Sequence, residues 1–497
     1  MFHARLLRVA DTIRAFLASR RCFYLVIAVF TVQAIWFAVT ARYPMAFDEN
    51  FHFGLIQLHA DQWVPFFTSQ PAHANQFGAV VRDPSYLYHF IMSVPYRFTT
   101  LISSNVVFQI IVLRFINIGL AVAGLALARK LLRRLGGSHA LVNTALLLSV
   151  LVPIVPFLAA HINYDNLFIV LALGSVLAVF DWLDRLKRNR ISAANTALIL
   201  CLFAMAGLVK YAYLPIAAAL GIMMLWQLWR RRNKRLAFYK SFLSSVRTLG
   251  RWQLIGISLL CIISAGLFAE RYGINVIKYH SLNPDCAQVL SVSSCLQYSP
   301  WARDYQLAQA KPAGVEPNKL AYIGEWFYGM WMRSFFAISD TYDTQPPLPI
   351  PGVTVIVIGS IGTIVFMYFA RRLLKGDVYR QTVVLALVLY LGALIAQTFQ
   401  TYLKTDEPVA INGRYLLPFL PIVILLVGMA YSRLWRRRPV LKVAAFMIVL
   451  LLFIQGGGIL TFIIRSNDSW YWPNNTVISI NHAVREMLKP FVIGAKL

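Results

Sequence analysis

The sequence predicts an all-α polytopic membrane protein with about eleven transmembrane helices, and three observations lead there. Of 497 residues, 59% are apolar and only 13% charged, with a mean hydropathy of +0.62, a balance foreign to water-soluble domains. Apolar runs close to the roughly 20 residues that cross a ~30 Å hydrocarbon core recur along the chain. The charges are segregated between them. Six basic segments, 5–21, 129–134, 185–190, 230–251, 371–380 and 433–442, hold 30 of the 47 Lys and Arg. Only four acids, Asp11, Asp181, Asp184 and Asp377, lie in or beside those segments, leaving 17 bases and 16 acids for the rest. This partition is the positive-inside pattern, so the basic face is expected to be cytoplasmic, with the N-terminus inside and, after an odd number of spans, the C-terminus extracytoplasmic. The expected location is the plasma (inner) membrane. The formal charge of +27 then reflects topology, and no nucleic-acid partner is implied.

The elements follow in order. The run 23–41 comes after five arginines and exceeds the roughly 7–15 residues of a signal-peptide core, so it reads as a retained span. An outer segment, 43–105, carries two stretches expected to form amphipathic interfacial helices. In MAFDENFHF, Asp48 stands at a helix cap and Glu49 in the first turn; in DPSYLYHFIMSVPYRF, Pro84 opens the helix. Helical spacing places His52 on the face of Asp48. Capping alone accounts for that acid pair, so a catalytic reading depends on what else collects on the same side.

The span 106–128 holds Arg114, which costs about 2.5–3.5 kcal/mol in a membrane helix unless a partner or cavity receives it. Spans 140–159 and 166–183 are joined by a short outer turn, AAHINYDN, with His161, Asn163 and Asp165. Spans 193–209 and 212–229 meet at Lys210 and Tyr211, where an aromatic belt with one snorkelling lysine is an adequate reading. After span 254–272 comes a large outer segment, 273–350, with Cys286 and Cys295 in CAQVLSVSSC. These face an oxidising space and are expected to pair. Spans 351–370, 382–399, 415–432 and 443–464 follow, Arg414 standing at the start of the third after Gly413, and an outer tail, 465–497, ends the chain. The organisation is therefore a transmembrane module with the acidic outer loop (1–272), the large outer segment (273–350), further transmembrane helices (351–464) and the tail (465–497). The long outer segments are too apolar for disorder and are expected to fold.

The form aromatic-Asp-Glu-x-x-His just after the first span resembles the first-loop signature of the GT-C superfamily of integral-membrane glycosyltransferases, which use polyprenyl-phosphate sugars. The surroundings of Arg114, the turn from Asn163 to Asp165, Lys210-Tyr211 and the Gly-Arg-Tyr-Leu-x-Pro of Gly413 to Pro418 resemble bacterial members. The resemblance covers most of the spans, but its motifs are sparse and 273–350 matches none of them.

The resemblance implies transfer of a sugar from a polyprenyl-phosphate donor to a hydroxyl acceptor on a glycan, lipid or protein. Such a reaction needs a base and a cationic clamp for the departing phosphate. Asp48 is the implied base, Glu49 shares that role or binds hydroxyls, and His52 orients them. His161, Asn163 and Asp165 form a second acidic station. Lys210, Tyr211 and Arg414 hold the donor phosphate, with Arg114 as a further candidate. No cofactor is required, and a divalent metal at Asp48 and Asp165 is optional, because one phosphate needs less neutralisation than a diphosphate. A ligase or polymerase of lipid-linked polysaccharide is the nearest alternative. A transporter of lipid-linked or small polar substrates is the alternative from another class, disfavoured by the lack of an internal repeat.

Overall fold

The computed structural model describes residues 2–45, 48–311, 314, 317–335 and 350–492. It is helical, with no strand among the described residues. Among the described residues, eight helices are long and apolar enough to cross a membrane: Arg20–Thr40, Val106–Arg134, Asp165–Lys187, Tyr211–Arg230, Arg251–Tyr279, Val357–Leu374, Val378–Thr405 and Pro439–Arg465. Three shorter apolar helices, His139–Leu151, Ala193–Val209 and Leu420–Leu434, lie on the remaining apolar runs.

The run 140–159, expected as one span, is two helices. His139–Leu151 ends before Pro153 and Ile154–Ala159 follows it, because proline has no amide hydrogen to give the preceding turn. A second break divides Pro439–Gly456 from Gly458–Arg465 at Gly457. The two breaks meet: a Cβ on Gly457 would stand 2.0 Å from the Leu151 carbonyl oxygen and 2.3 Å from that of Phe453. Only glycine lets these backbones approach so closely.

Asp165–Lys187 is the central helix, with 67% of its apolar window buried, and packs between Val106–Arg134 and Ala193–Val209. Arg251–Tyr279 is peripheral, with 6% of its window buried. Leu214–Arg230 runs against Val378–Thr405, and Ile350–Leu374 against Leu420–Leu434 and Pro439–Gly456.

The segments joining these helices at the end away from the basic clusters are themselves structured. In 43–105, Glu49–Ala60 packs on Leu87–Ile102. The second helix starts at Leu87 and not at Pro84, since the Asp83 carboxylate accepts the Ser85 amide at 2.9 Å and closes a side-chain turn there. The segment 273–350 contains Ile274–Tyr279, Cys286–Val289, Val292–Cys295, Ser299–Ala310 and Lys319–Phe335. Cys286 and Cys295 are bonded, with Cα atoms 5.8 Å apart. Tyr322 stacks on Tyr402 at 4.4 Å, and Trp326 donates to the Thr398 hydroxyl at 3.0 Å, seating Lys319–Phe335 on the bundle. The tail returns to the end of the first long helix, where Trp472 donates to Thr40 (3.1 Å) and Arg42 to Trp470 (3.0 Å) across an antiparallel bridge, Ala41 to Tyr471. Ala46 and Phe47 of MAFDENFHF, and 336–349, lie outside the described residues.

Candidate active site

The acid pair is split between two environments. Glu49, in the first turn of its helix, is fully enclosed and receives the Arg114 guanidinium in a fork, Nε to Oε1 at 2.9 Å and Nη2 to Oε2 at 2.7 Å. The other donors of Arg114 go to the carbonyls of Ala38 (3.1 Å), Ala41 (2.7 Å) and Arg42 (2.9 Å), which ties the end of the first long helix to the second. Glu49 Oε1 also accepts the Ile162 amide at 3.2 Å and Oε2 the Met45 amide at 3.4 Å. Burial by itself would raise the Glu49 carboxyl, but the Arg114 charge, His161 and these hydrogen bonds together leave it below its ordinary value, so it is ionised. Arg114 therefore braces Glu49 and has no donor left for a phosphate.

Asp48 occupies the cap position in the left-handed conformation, φ 62°, where its side chain makes no capping hydrogen bond. Asp48 thus stands at the cap with Glu49 in the first turn, as expected, but its carboxylate does not do the capping. A left-handed backbone, which Asp tolerates better than most residues, turns the carboxylate away from the helix. Its Oδ2 accepts from Arg414 Nη2 at 2.7 Å; the carboxylate is 59% exposed and the guanidinium 7%. Arg414 is presented by the short 3₁₀ turn Gly413–Leu416, whose cap residue Asn412 accepts the Arg414 amide at 3.0 Å.

Asp165 and Lys210 form a second ion pair, each 4% exposed. The Asn163 side chain accepts the Asp165 amide at 2.8 Å and shapes the turn. Oδ2 of Asp165 has no hydrogen-bond partner among the described residues. The Lys210 ammonium lies 4.6 Å from the Tyr164 ring centre and 4.7 Å from that of Tyr415, and Arg414 lies 5.5 Å from Tyr415. Those two tyrosines sit between the ion pairs and join them into one centre. Tyr211 contributes its hydroxyl at the side, where it accepts from Gln397.

His52 closes the inner wall. Its ring meets Tyr164 edge-on at 4.5 Å, and its Nδ1 is 2.9 Å from Nε2 of His89, with His59 beyond, parallel to His89 at 6.5 Å. Burial first, then the charges of Arg414 and Lys210, holds His52 well below its ordinary value of 6.5, so it is neutral. The same burial lowers His89, and lowers His59 to about 3. His161 stands behind Glu49, against Phe157 at 4.4 Å, and burial lowers it to about 4.

The structure thus gathers Asp48, His52, Asp165, Lys210 and Arg414, with Asn163 and Tyr211 shaping the surround, and sets Glu49, Arg114 and His161 behind them as support. His89, Tyr164, Tyr415 and Gln397 are the contributors that motif reading passed over. The two tyrosines stand inside the sequence motifs, between Asn163 and Asp165 and directly after Arg414, and His89 stands inside DPSYLYHFIMSVPYRF, whereas Gln397 has no local signal. Among the described residues, no group of three or more His, Cys, Asp and Glu is placed to hold a metal ion. Asp48 and Asp165 are each already paired with a cation, Arg414 and Lys210. No family model, curated protein or solved structure matches the chain. What the geometry offers chemically is an accessible carboxylate flanked by two cations, a neutral imidazole and aromatic faces, at one end of an apolar helical bundle.

Proposed function

We propose that this chain is a membrane glycosyltransferase of the GT-C type, moving a sugar from a polyprenyl-phosphate donor to a hydroxyl acceptor on the extracytoplasmic face. The observation that carries this reading is the Asp48–Arg414 pair, a carboxylate 59% exposed bonded at 2.7 Å to a guanidinium 7% exposed. A buried cation with an open counter-ion suits a site where an incoming anion takes the counter-ion's place. Donor phosphate reaching Arg414 competes with Asp48, and the freed carboxylate lone pair then accepts the proton of the acceptor hydroxyl. The acceptor oxygen attacks the anomeric carbon while the carbon–oxygen bond to phosphate breaks. Polyprenyl phosphate leaves with the bonding electrons and is held by Arg414 and Lys210, a fork and a point charge. Asp165, with one carboxylate oxygen uncommitted, binds hydroxyls of sugar or acceptor, and the neutral His52 fixes Tyr164 between the two pairs.

The lipid donor fits a chain in which eight long and three shorter apolar helices occupy the eleven apolar runs. Eleven crossings would put every basic cluster on the cytoplasmic side and the ion pairs on the other, in keeping with the positive-inside pattern. The test is Asp48→Asn, which keeps shape and removes basicity. With label supplied as membrane-extracted polyprenyl-phosphate sugars, transfer should fall by the ~10²–10⁴-fold of general-base removal while the lipid still binds. Near-normal transfer by this variant would sink the assignment.

A further inference from the structure

The connection between the apolar helices Leu214–Arg230 and Arg251–Phe268 holds a helix of its own, Arg235–Arg247. One face of it is fastened to the protein. Ser241 Oγ accepts the Ile191 amide at 3.1 Å and donates to the Ile191 carbonyl at 3.2 Å, Ser245 Oγ accepts the Ala193 amide at 2.8 Å, and Phe238 is buried. The other face carries Leu236 (66% exposed), Tyr239 (62%) and Leu243, which helical spacing aligns. Between Arg230 and Arg251 the chain has eight Lys and Arg and no acid. None of these eight forms a salt bridge among the described residues. Trp226 and Trp229 at the end of the preceding helix, and Trp252 at the start of the next, are all exposed, which marks the depth of a membrane interface on both sides of the segment.

We propose that Arg235–Arg247 is an in-plane helix that binds anionic phospholipid headgroups of the leaflet through which its two neighbours pass. The serine-lined face sets its roll angle, so Leu236, Tyr239 and Leu243 enter the acyl boundary while Arg235, Lys240 and Arg247 meet phosphates. Two signals act together, apolar insertion and charge attraction, and neither alone gives stable surface binding. An acidic protein partner would match the charge but leave the apolar stripe in water. The bilayer satisfies both, and the tryptophans place it beside the helix.

The experiment measures hydrogen exchange of the full-length protein in nanodiscs of phosphatidylcholine, with or without about one lipid in three replaced by phosphatidylglycerol. Amides of 235–247 should exchange more slowly with phosphatidylglycerol present, by about fivefold for each basic residue engaged. The triple variant R235Q/K240Q/R247Q should lose the difference, while R433Q/R436Q/R437Q, an equal charge reduction on the same basic face, should keep it. Equal exchange in both lipids, or equal loss in both triple variants, would overturn the proposal; the first means bilayer contact without headgroup selection, the second a diffuse surface field. If the first triple variant also alters exchange in Asp165–Lys187, the wild-type salt dependence decides. Added salt should erase the lipid difference, and a difference indifferent to salt rejects the charge contact.

Discussion

Asp48 and Glu49 are neighbours in sequence with opposite physical situations. Glu49→Gln would leave the Arg114 guanidinium enclosed without its counter-charge, the circumstance that costs about 3–5 kcal/mol in buried pairs. We expect that variant to lower the unfolding midpoint strongly in detergent, and Asp48→Asn to lower it less, because the Asp48–Arg414 pair is open to solvent on the carboxylate side whereas the Glu49–Arg114 pair is enclosed on both. Equal midpoints for the two variants would show that the fork bears no load. If Arg414 clamps the donor phosphate as proposed, Arg414→Ala should weaken donor use roughly tenfold to hundredfold, the ~1.5–3 kcal/mol of a charge-assisted contact, with Arg414→Lys intermediate since it keeps charge and loses the fork. Titrating donor against initial rate separates these variants; wild-type donor dependence in both would leave Arg414 as an anchor only. Reading the sequence located these residues but not their division of labour, since Arg114 reaches Glu49 across 65 positions and Arg414 reaches Asp48 across 366.

At the scale of elements, the first-loop helices Glu49–Ala60 and Leu87–Ile102 meet at His52, His59 and His89, all neutral in the fold, and at the Arg97 hydrogen bonds to the His59 and Ala60 carbonyls. Their folded values lie below the ordinary 6.5, so between that pH and the folded values the unfolded chain binds more protons. Stability supplied by this cluster is present in full above about pH 6.5 and is lost progressively as pH falls below it. Glu49, held low, adds a further loss only beneath the ordinary carboxylate range. An unfolding midpoint that stays flat between neutral pH and pH ~5 would contradict the histidine assignment. The paired helix breaks make a second prediction. Gly457→Ala puts a methyl against two carbonyl oxygens and should destabilise the bundle by the ~1–3 kcal/mol of overpacking, visible as a lowered midpoint. The break at Pro153 is written in the sequence, although a hydropathy run passes over it. The need for glycine at 457 is not legible there, because its cause is the Leu151 carbonyl on another helix.

For the whole molecule, the apolar runs and the charge partition were readable because both are local sums over neighbouring residues. The packing order, the helices inside 273–350 and the return of the tail were not, since each depends on contacts between distant segments. The proposed orientation predicts that a reporter active only in the cytoplasm is silent when fused after Leu497, and activity there would reverse it. One consequence concerns synthesis. Asp48 emerges from the ribosome 366 residues before the guanidinium that holds it, and the bridge from Ala41 to Tyr471 closes later still. Until those late segments are inserted, a nascent chain holds Glu49 with Arg114 but leaves Asp48 without its guanidinium. The Asp48–Arg414 pair thus closes near the end of translation, and on the proposed reading a chain stalled halfway in the translocon would have no activity toward a lipid-linked donor.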